Sequence, residues 1–158
     1  MKFIASFFLT LVVSLVSAQD YGSILPMKER ARVINELLED KIQNYLPQMM
    51  RIADIDMWIV VSREYNEDPI IKTMLPAEWL AARRRTILVF YDNGKEVETL
   101  AVARYNVGSS FKSAWEKEKQ PDQWERLSEI VAERNPRRIG INQSEHFGLT
   151  DGIVATDK

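Results

Sequence analysis

An α/β fold, a β-sheet with helices on both faces, is what this sequence predicts. Two observations carry the prediction. In Asp56-Met57-Trp58-Ile59-Val60-Val61, five apolar residues stand in a row without alternation. A strand wet on one face alternates apolar and polar residues, so an unbroken run implies cover on both faces. Bulky and β-branched side chains here favour strand over helix. The second observation is Asp92-Asn93-Gly94-Lys95, which sits between two strand-like runs. Asn-Gly supplies the two positive-φ positions that a tight hairpin needs.

The other elements follow in chain order. Pro26 sits where a helix tolerates proline, in its first turn. Val33, Ile34, Leu37, Leu38, Ile42, Tyr45 and Leu46 then recur at steps of three and four, which predicts an amphipathic helix with these residues inward. Pro47 ends that helix or starts a short second one with Met49, Met50 and Ile52. The apolar run at 57–61 is read as the central strand, ending at the polar switch Ser62-Arg63-Glu64-Tyr65-Asn66. Asp68-Pro69 reads as a helix cap followed by a first-turn proline. After Pro76 a helix resumes over residues 77–85, anchored by Trp79 and Leu80. Residues 86–91 and 96–105 form the hairpin strands. Residues 106–120 form a loop with Phe111 and Trp115 tucked inward. Pro121 opens a helix through Arg134, with Trp124, Leu127, Ile130 and Val131 inward, and Asn135-Pro136 stops it. Ile139-Gly140-Ile141 is a short fourth strand, and 142–151 a loop.

Composition narrows the function classes. The 158 residues suit one domain, and 46% of them are hydrophobic, enough for a core. The formal net charge of −2 is too balanced for nucleic acid as the main partner. There is no cysteine and one histidine, His146, so zinc fingers, iron–sulfur clusters, cysteine nucleophiles and disulfide scaffolds are excluded. Lys2, the apolar stretch 3–16 and Val16-Ser17-Ala18 read as a secretory signal over residues 1–18. An uncleaved membrane anchor is the alternative, but the run is shorter than the roughly 20 residues a span needs. Cleavage leaves an exported domain, residues 19–158, periplasmic or extracellular, with no membrane attachment.

Candidate chemistry is sparse. In open α/β sheets the loops at the carboxyl ends of strands face ligands. That selects Arg63, Glu64, Tyr65 and Asn66 as the residues to contact a ligand or a neighbouring subunit. Glu64, Glu67 and Asp68 are close enough in sequence to consider a divalent ion, but Asp68 as a cap and Glu67 in solvent is the simpler reading, and no metal is assigned. Arg83-Arg84-Arg85 has the chemistry to grip a carboxylate or phosphate; the end of the helix over 77–85 favours cations without any ligand. His146 beside Glu145 lacks a second histidine and is not assigned a role. Glycine-rich phosphate loops and a GxSxG elbow are absent. No catalytic residue is assigned.

Three segments together carry a resemblance: residues 55–69 (Ile55-Asp56-Met57-Trp58 through Asp68-Pro69), residues 82–90 (Ala82-Arg83-Arg84-Arg85 through Phe90), and Arg138-Ile139-Gly140-Ile141-Asn142 with Ser144-Glu145. They resemble strands of the amino-terminal domain of the creatinase/aminopeptidase P/prolidase family, in its exported bacterial, Xaa-Pro aminopeptidase-like form. The resemblance covers roughly residues 24–158. It implies a mixed sheet in a ribonuclease-H-like arrangement. It also implies that the chemistry belongs to a following carboxyl-terminal domain, where Asp, Asp, His, Glu and Glu hold two divalent metal ions. Those ligand motifs find no match in this sequence, so no cofactor is expected in this chain.

The expected function is that of a non-catalytic amino-terminal domain, truncated before the catalytic domain, which supports oligomerisation and substrate access. Its partners would be the catalytic domain, a second copy in a homodimer, and the parent's peptide substrate. Thr156-Asp157-Lys158 has the look of a cap before a further helix. A freestanding exported ligand- or peptide-binding module is the alternative. A hydrolase using Glu64, Glu67 and Asp68 with a metal is a third.

Overall fold

The apolar run folds as β1 (Met57–Arg63). The computed structural model describes residues 24–65 and 67–143. The chain divides into two units, Met1–Arg30 and Ala31–Lys158. In the first unit the described residues begin α1 (Met27–Asp40), where the Arg30 N–H donates to Pro26 O at 2.9 Å. Residues 1–18, read above as a secretory signal, lie outside the described residues, as do Ser144, Glu145, His146 and 156–158. Among the described residues no helix is long and apolar enough to cross a membrane.

In the second unit the chain builds an α/β fold around a mixed, open five-stranded sheet. Four strands accompany β1: β2 (Arg85–Asp92), β3 (Val97–Val102), β4 (Lys112–Ser113) and β5 (Ile139–Ile141). The order is β4-β3-β2-β1-β5. β2 runs antiparallel to both β1 and β3, while β5 is parallel to β1 and β4 parallel to β3. β1 is thus an interior strand, but the middle position belongs to β2. Alternation sorts each strand between two cores. Val60, Leu88 and Phe90 face one side, where they meet Leu38, Ile42, Leu46 and Met50. Ile59, Val61, Ile87 and Val89 face the other and meet Leu127 and Ile130. Both faces are covered, which is why β1 has no polar alternation. Each fully buried aliphatic side chain of this kind contributes roughly 1.5–3 kcal/mol.

The first helical stretch differs from expectation in a specific way. After α1 comes a π-helical turn, Lys41–Tyr45, and then α2 (Leu46–Ile52). The Leu46 N–H donates to Lys41 O, five residues back. Pro47 lacks the N–H that would bond residue 43 and its ring crowds that carbonyl. The wider turn before it absorbs the conflict and the helix continues without a break. Leu38, Ile42 and Leu46 are buried as expected, but Ile34, Leu37 and Tyr45 are exposed. The apolar band is wider than the part the sheet covers.

Further along, α3 (Pro69–Thr73) begins as read, with Asp68 Oδ1 accepting from the Ile70 N–H at 2.7 Å. No helix forms over 77–85; the segment is a run of turns and bends. Leu80 is no anchor but 92% exposed. The hairpin is present, yet its turn is looser than two residues. Gly94 has φ +89, while Asn93 is not in the left-handed region. Asn93 Oδ1 instead accepts from the Lys95 and Glu96 N–H groups, closing a four-residue loop. Phe111 and Trp115 are buried as expected, and β4 lies between them. α4 (Gln123–Arg134) starts after Pro121, capped by Asp122 Oδ1 on the Trp124 N–H at 2.8 Å. Asn135, at φ 45, ends it. Arg134 then clamps α4 to β3 through two bonds to Glu98, at 2.6 and 2.7 Å.

One half-buried chain of hydrogen bonds ties β1, α3 and the end of β5. Trp58 Nε1–H donates to Asn142 Oδ1 at 2.9 Å, and Asn142 Nδ2–H donates to Asp68 Oδ2 at 2.7 Å. Asp68 is fully buried and holds the Ile70 N–H with its other oxygen. Asn142→Ala leaves both Trp58 and Asp68 without this partner. It is expected to lower stability by about 2–3 kcal/mol in equilibrium urea unfolding. A loss under 0.5 kcal/mol would contradict the network's importance.

At the amino end of β1, charges pair. Arg51 Nε and Nη2 donate to Asp92 at 2.7 and 3.1 Å, and this hydrogen bonding holds the Asp92 carboxyl below the usual carboxylate range, with the Gly94 N–H adding to it. Arg137 does the same for Asp56, helped by the Arg137 and Arg138 N–H groups. A carboxyl lowered in the folded state stabilises it above the unfolded value near 4, and that contribution is lost as pH falls through the folded value. Stability is therefore expected to decline below pH 4. Asp92→Asn should flatten that decline in urea midpoints measured from pH 7 to pH 2.5; an unchanged slope would refute the assignment.

Candidate functional site at the carboxyl end of β1

The β1–β2 ladder runs to the pair Arg63 and Arg85. One step further the Glu64 N–H donates to Arg84 O at 2.6 Å, and the Arg84 N–H donates back to Glu64 Oε2 at 3.2 Å. Side chain and backbone together close the strand pair. Beyond this clamp the chains part and a cleft of about 1200 Å³ opens, above the usual size of small-molecule sites.

Its walls come from three connections: the loop after β1, the turns over 76–84, and the segment after β3. Tyr65, Trp79, Leu80 and Tyr105 supply the apolar surface. Tyr65 is 96% exposed and Leu80 nearly as much. Trp79 and Tyr105 pack against each other with ring centres 5.9 Å apart. Two residues at this mouth, Tyr65 at φ 70 and Arg84 at φ 52, sit in the left-handed region without being glycine. Each costs on the order of 1 kcal/mol, and such residues gather at ligand clamps.

The charges in the cleft are not equivalent. Glu64 accepts from the Arg84 N–H. Glu67 pairs with Lys72 at 3.4 Å. Glu78 accepts from Asn35 Nδ2 at 3.4 Å, and Asn35 Oδ1 also fixes the Ala77 N–H at 2.8 Å. The Arg83 and Arg84 side chains are exposed, and among the described residues their guanidinium groups have no hydrogen-bond or ion-pair partner. The cleft thus has three occupied carboxylates and two available cations.

Of the residues singled out in the sequence, Glu64 and Tyr65 line the cleft. Arg63 does not; alternation turns it to the α4 face, opposite Arg85, whose guanidinium lies 4.8 Å from the Trp124 ring centre. Asn66 lies outside the described residues. The arginine run does not end a helix, so the dipole explanation for it fails. Trp79, Leu80 and Tyr105 were not read as site residues. Trp79 is half-buried against the core, as an anchor should be, and Leu80 is exposed. The only signal in the sequence was the adjacent Trp-Leu pair after Pro76, which helical periodicity assigned to one buried face.

A metal does not fit here. Glu64, Glu67 and Asp68 each have other partners, and among the described residues no group of three or more His, Cys, Asp or Glu could hold an ion. Compared with protein-family models, curated proteins and solved structures, the chain finds no match.

Gly108 packs against Pro76, at the start of the turns that carry Trp79 and Leu80 into the cleft. It has φ +61, and a Cβ there would lie 2.6 Å from Pro76 Cγ. Gly108→Ala is expected to destabilise by about 1–3 kcal/mol through strain and overlap, and to move the Trp79 indole NMR resonance while Trp124 stays in place. Gly94→Ala is the control, since nothing lies within 4 Å of a Cβ there. An unmoved Trp79 signal would sever Gly108 from the cleft.

Proposed function

We propose that this chain is the non-catalytic amino-terminal domain of an exported, Xaa-Pro aminopeptidase-like metallopeptidase of the creatinase/aminopeptidase P/prolidase family, in that family's ribonuclease-H-like arrangement. It supports a dimer and shapes the path by which peptide reaches a catalytic centre held elsewhere in the parent protein. The observation that carries this reading is a coincidence of sequence and space. The three segments that bear the resemblance are far apart in the chain, yet they contribute β1, β2 and β5, which are adjacent in the sheet. Two of them, 55–69 and 82–90, also supply the clamp between Glu64 and Arg84 and much of the cleft. The cleft is open and aromatic and holds no metal-binding group among the described residues, which suits a surface that guides peptide rather than cuts it.

The reading frame past Lys158 and an activity assay test this together. The frame is expected to continue into a segment with two Asp, one His and two Glu placed to bind two metal ions. The 158-residue chain alone, given Mn²⁺ or Zn²⁺, is expected to leave Xaa-Pro peptides intact, because the water-activating metal pair needs those ligands. Chelator-sensitive turnover by the isolated chain would sink the proposal.

A further inference from the structure

We propose that the cleft at the carboxyl end of β1 captures the free carboxyl terminus of an apolar peptide, with Arg83 and Arg84 on the carboxylate and Tyr65, Trp79, Leu80 and Tyr105 around the last side chains. This deepens the peptide-guiding role proposed above by naming the ligand's end, but it does not require a parent peptidase. Three observations point the same way. The first is charge. Glu67 pairs with Lys72, and Glu64 and Glu78 each accept from a neutral donor, whereas the two guanidinium groups have no acceptor among the described residues. The group that would complete the hydrogen bonding of the cleft is therefore an acceptor, and a carboxylate fits the planar guanidinium fork.

The second is the wall. Leu80 and Tyr65 are more than nine-tenths exposed beside those cations. Large apolar side chains held out next to charge mark a contact site rather than idle surface. A small inorganic anion would leave that wall uncovered, so the anion has to be carried on an apolar body. A peptide ending in a large apolar residue meets both demands at once. The third is backbone. Arg84 is held at φ 52 because its N–H and its carbonyl are both engaged by Glu64. That clamp fixes the backbone from which the Arg84 side chain reaches the mouth of the cleft.

The test is calorimetry on the purified chain with N-acetyl-Ala-Leu-Phe as the free acid and as the carboxyl amide, paired with NMR of the tryptophan indoles. The acid is expected to bind at least tenfold more tightly than the amide and to shift the Trp79 resonance. Arg83→Gln should cut the preference for the acid several-fold, and Arg83→Gln with Arg84→Gln should abolish it at unchanged melting temperature. Leu80→Ala should weaken acid and amide alike. Equal binding of acid and amide would overturn the proposal, as would binding that leaves Trp79 unmoved or no binding of either peptide at millimolar concentration. If the double variant fails to fold, the wild-type comparison and the single variant still decide. None of these outcomes depends on whether the reading frame continues into a metal-binding domain, so the two proposals fail separately.

Discussion

The structure depends on a half-buried amide. Asn142 stands at the end of a three-residue strand that has little else to hold it, since β5 meets the sheet only through its parallel pairing with β1. Its side chain accepts from Trp58 in β1 and donates to Asp68, the cap of α3. Each member of this chain would be costly to bury alone, because an amide, an indole N–H or a carboxylate taken from water without a partner loses several kcal/mol. Together each satisfies the next. The Trp58 ring also stacks on Phe90 at 5.2 Å, and Phe90 meets Phe111 edge-on at 5.6 Å. One polar chain and one aromatic chain thus cross the sheet from β5 to the segment beyond β3, both passing through Trp58.

The two ends of β1 are built differently, and the difference decides where function sits. At the amino end Asp54, Asp56 and Asp92 are answered by Arg51, Arg137 and Arg138. These are mostly exposed pairs, each worth little alone, and each of these six charges has an opposite partner. At the carboxyl end the carboxylates are matched and two cations are not. Exposed aromatic and aliphatic side chains lie beside them, and the backbone is held in two unfavourable conformations. Holding Tyr65 and Arg84 at positive φ disfavours the folded state by on the order of 1 kcal/mol each.

Much of this was legible in the sequence. The unbroken run at 57–61 gave away a strand covered on both faces, and Asp68-Pro69 gave away a cap and a first-turn proline. These signals are local: they depend on side-chain size and on hydrogen bonds within two residues. Legibility failed where non-local packing chose between local options. Residues 77–85 have helical composition, yet Asn35 on α1 captures the Ala77 N–H and Gly108 seats Pro76, and the segment turns instead. Pro47 reads as a stop or as the start of a short second helix, and α2 is that helix; the π turn that joins it to α1 without a break was not legible. Asn93-Gly94 looked like a two-residue hairpin turn, but the Asn93 side chain caps the loop and only Gly94 takes positive φ.

The candidate site shows the same division. Its position was readable because the carboxyl end of a buried strand is marked by the switch from Val61 to the polar run. Its membership was not. Glu64 and Tyr65 were found because they follow the strand directly, and Arg63 was included for the same reason, although strand alternation sends every second side chain to the opposite face. Arg84 enters the site through its backbone bond to Glu64, a contact across 20 residues that no periodicity encodes. Register decides both cases. Antiparallel pairing of Ser62 with Thr86 and of Arg63 with Arg85 obliges Glu64 and Arg84 to meet next. It then brings Arg83 and Arg84 to the mouth that Tyr65 and Leu80 line. The cleft is therefore a consequence of where the β1–β2 ladder stops, and moving that register by one residue would exchange its walls for the α4 face.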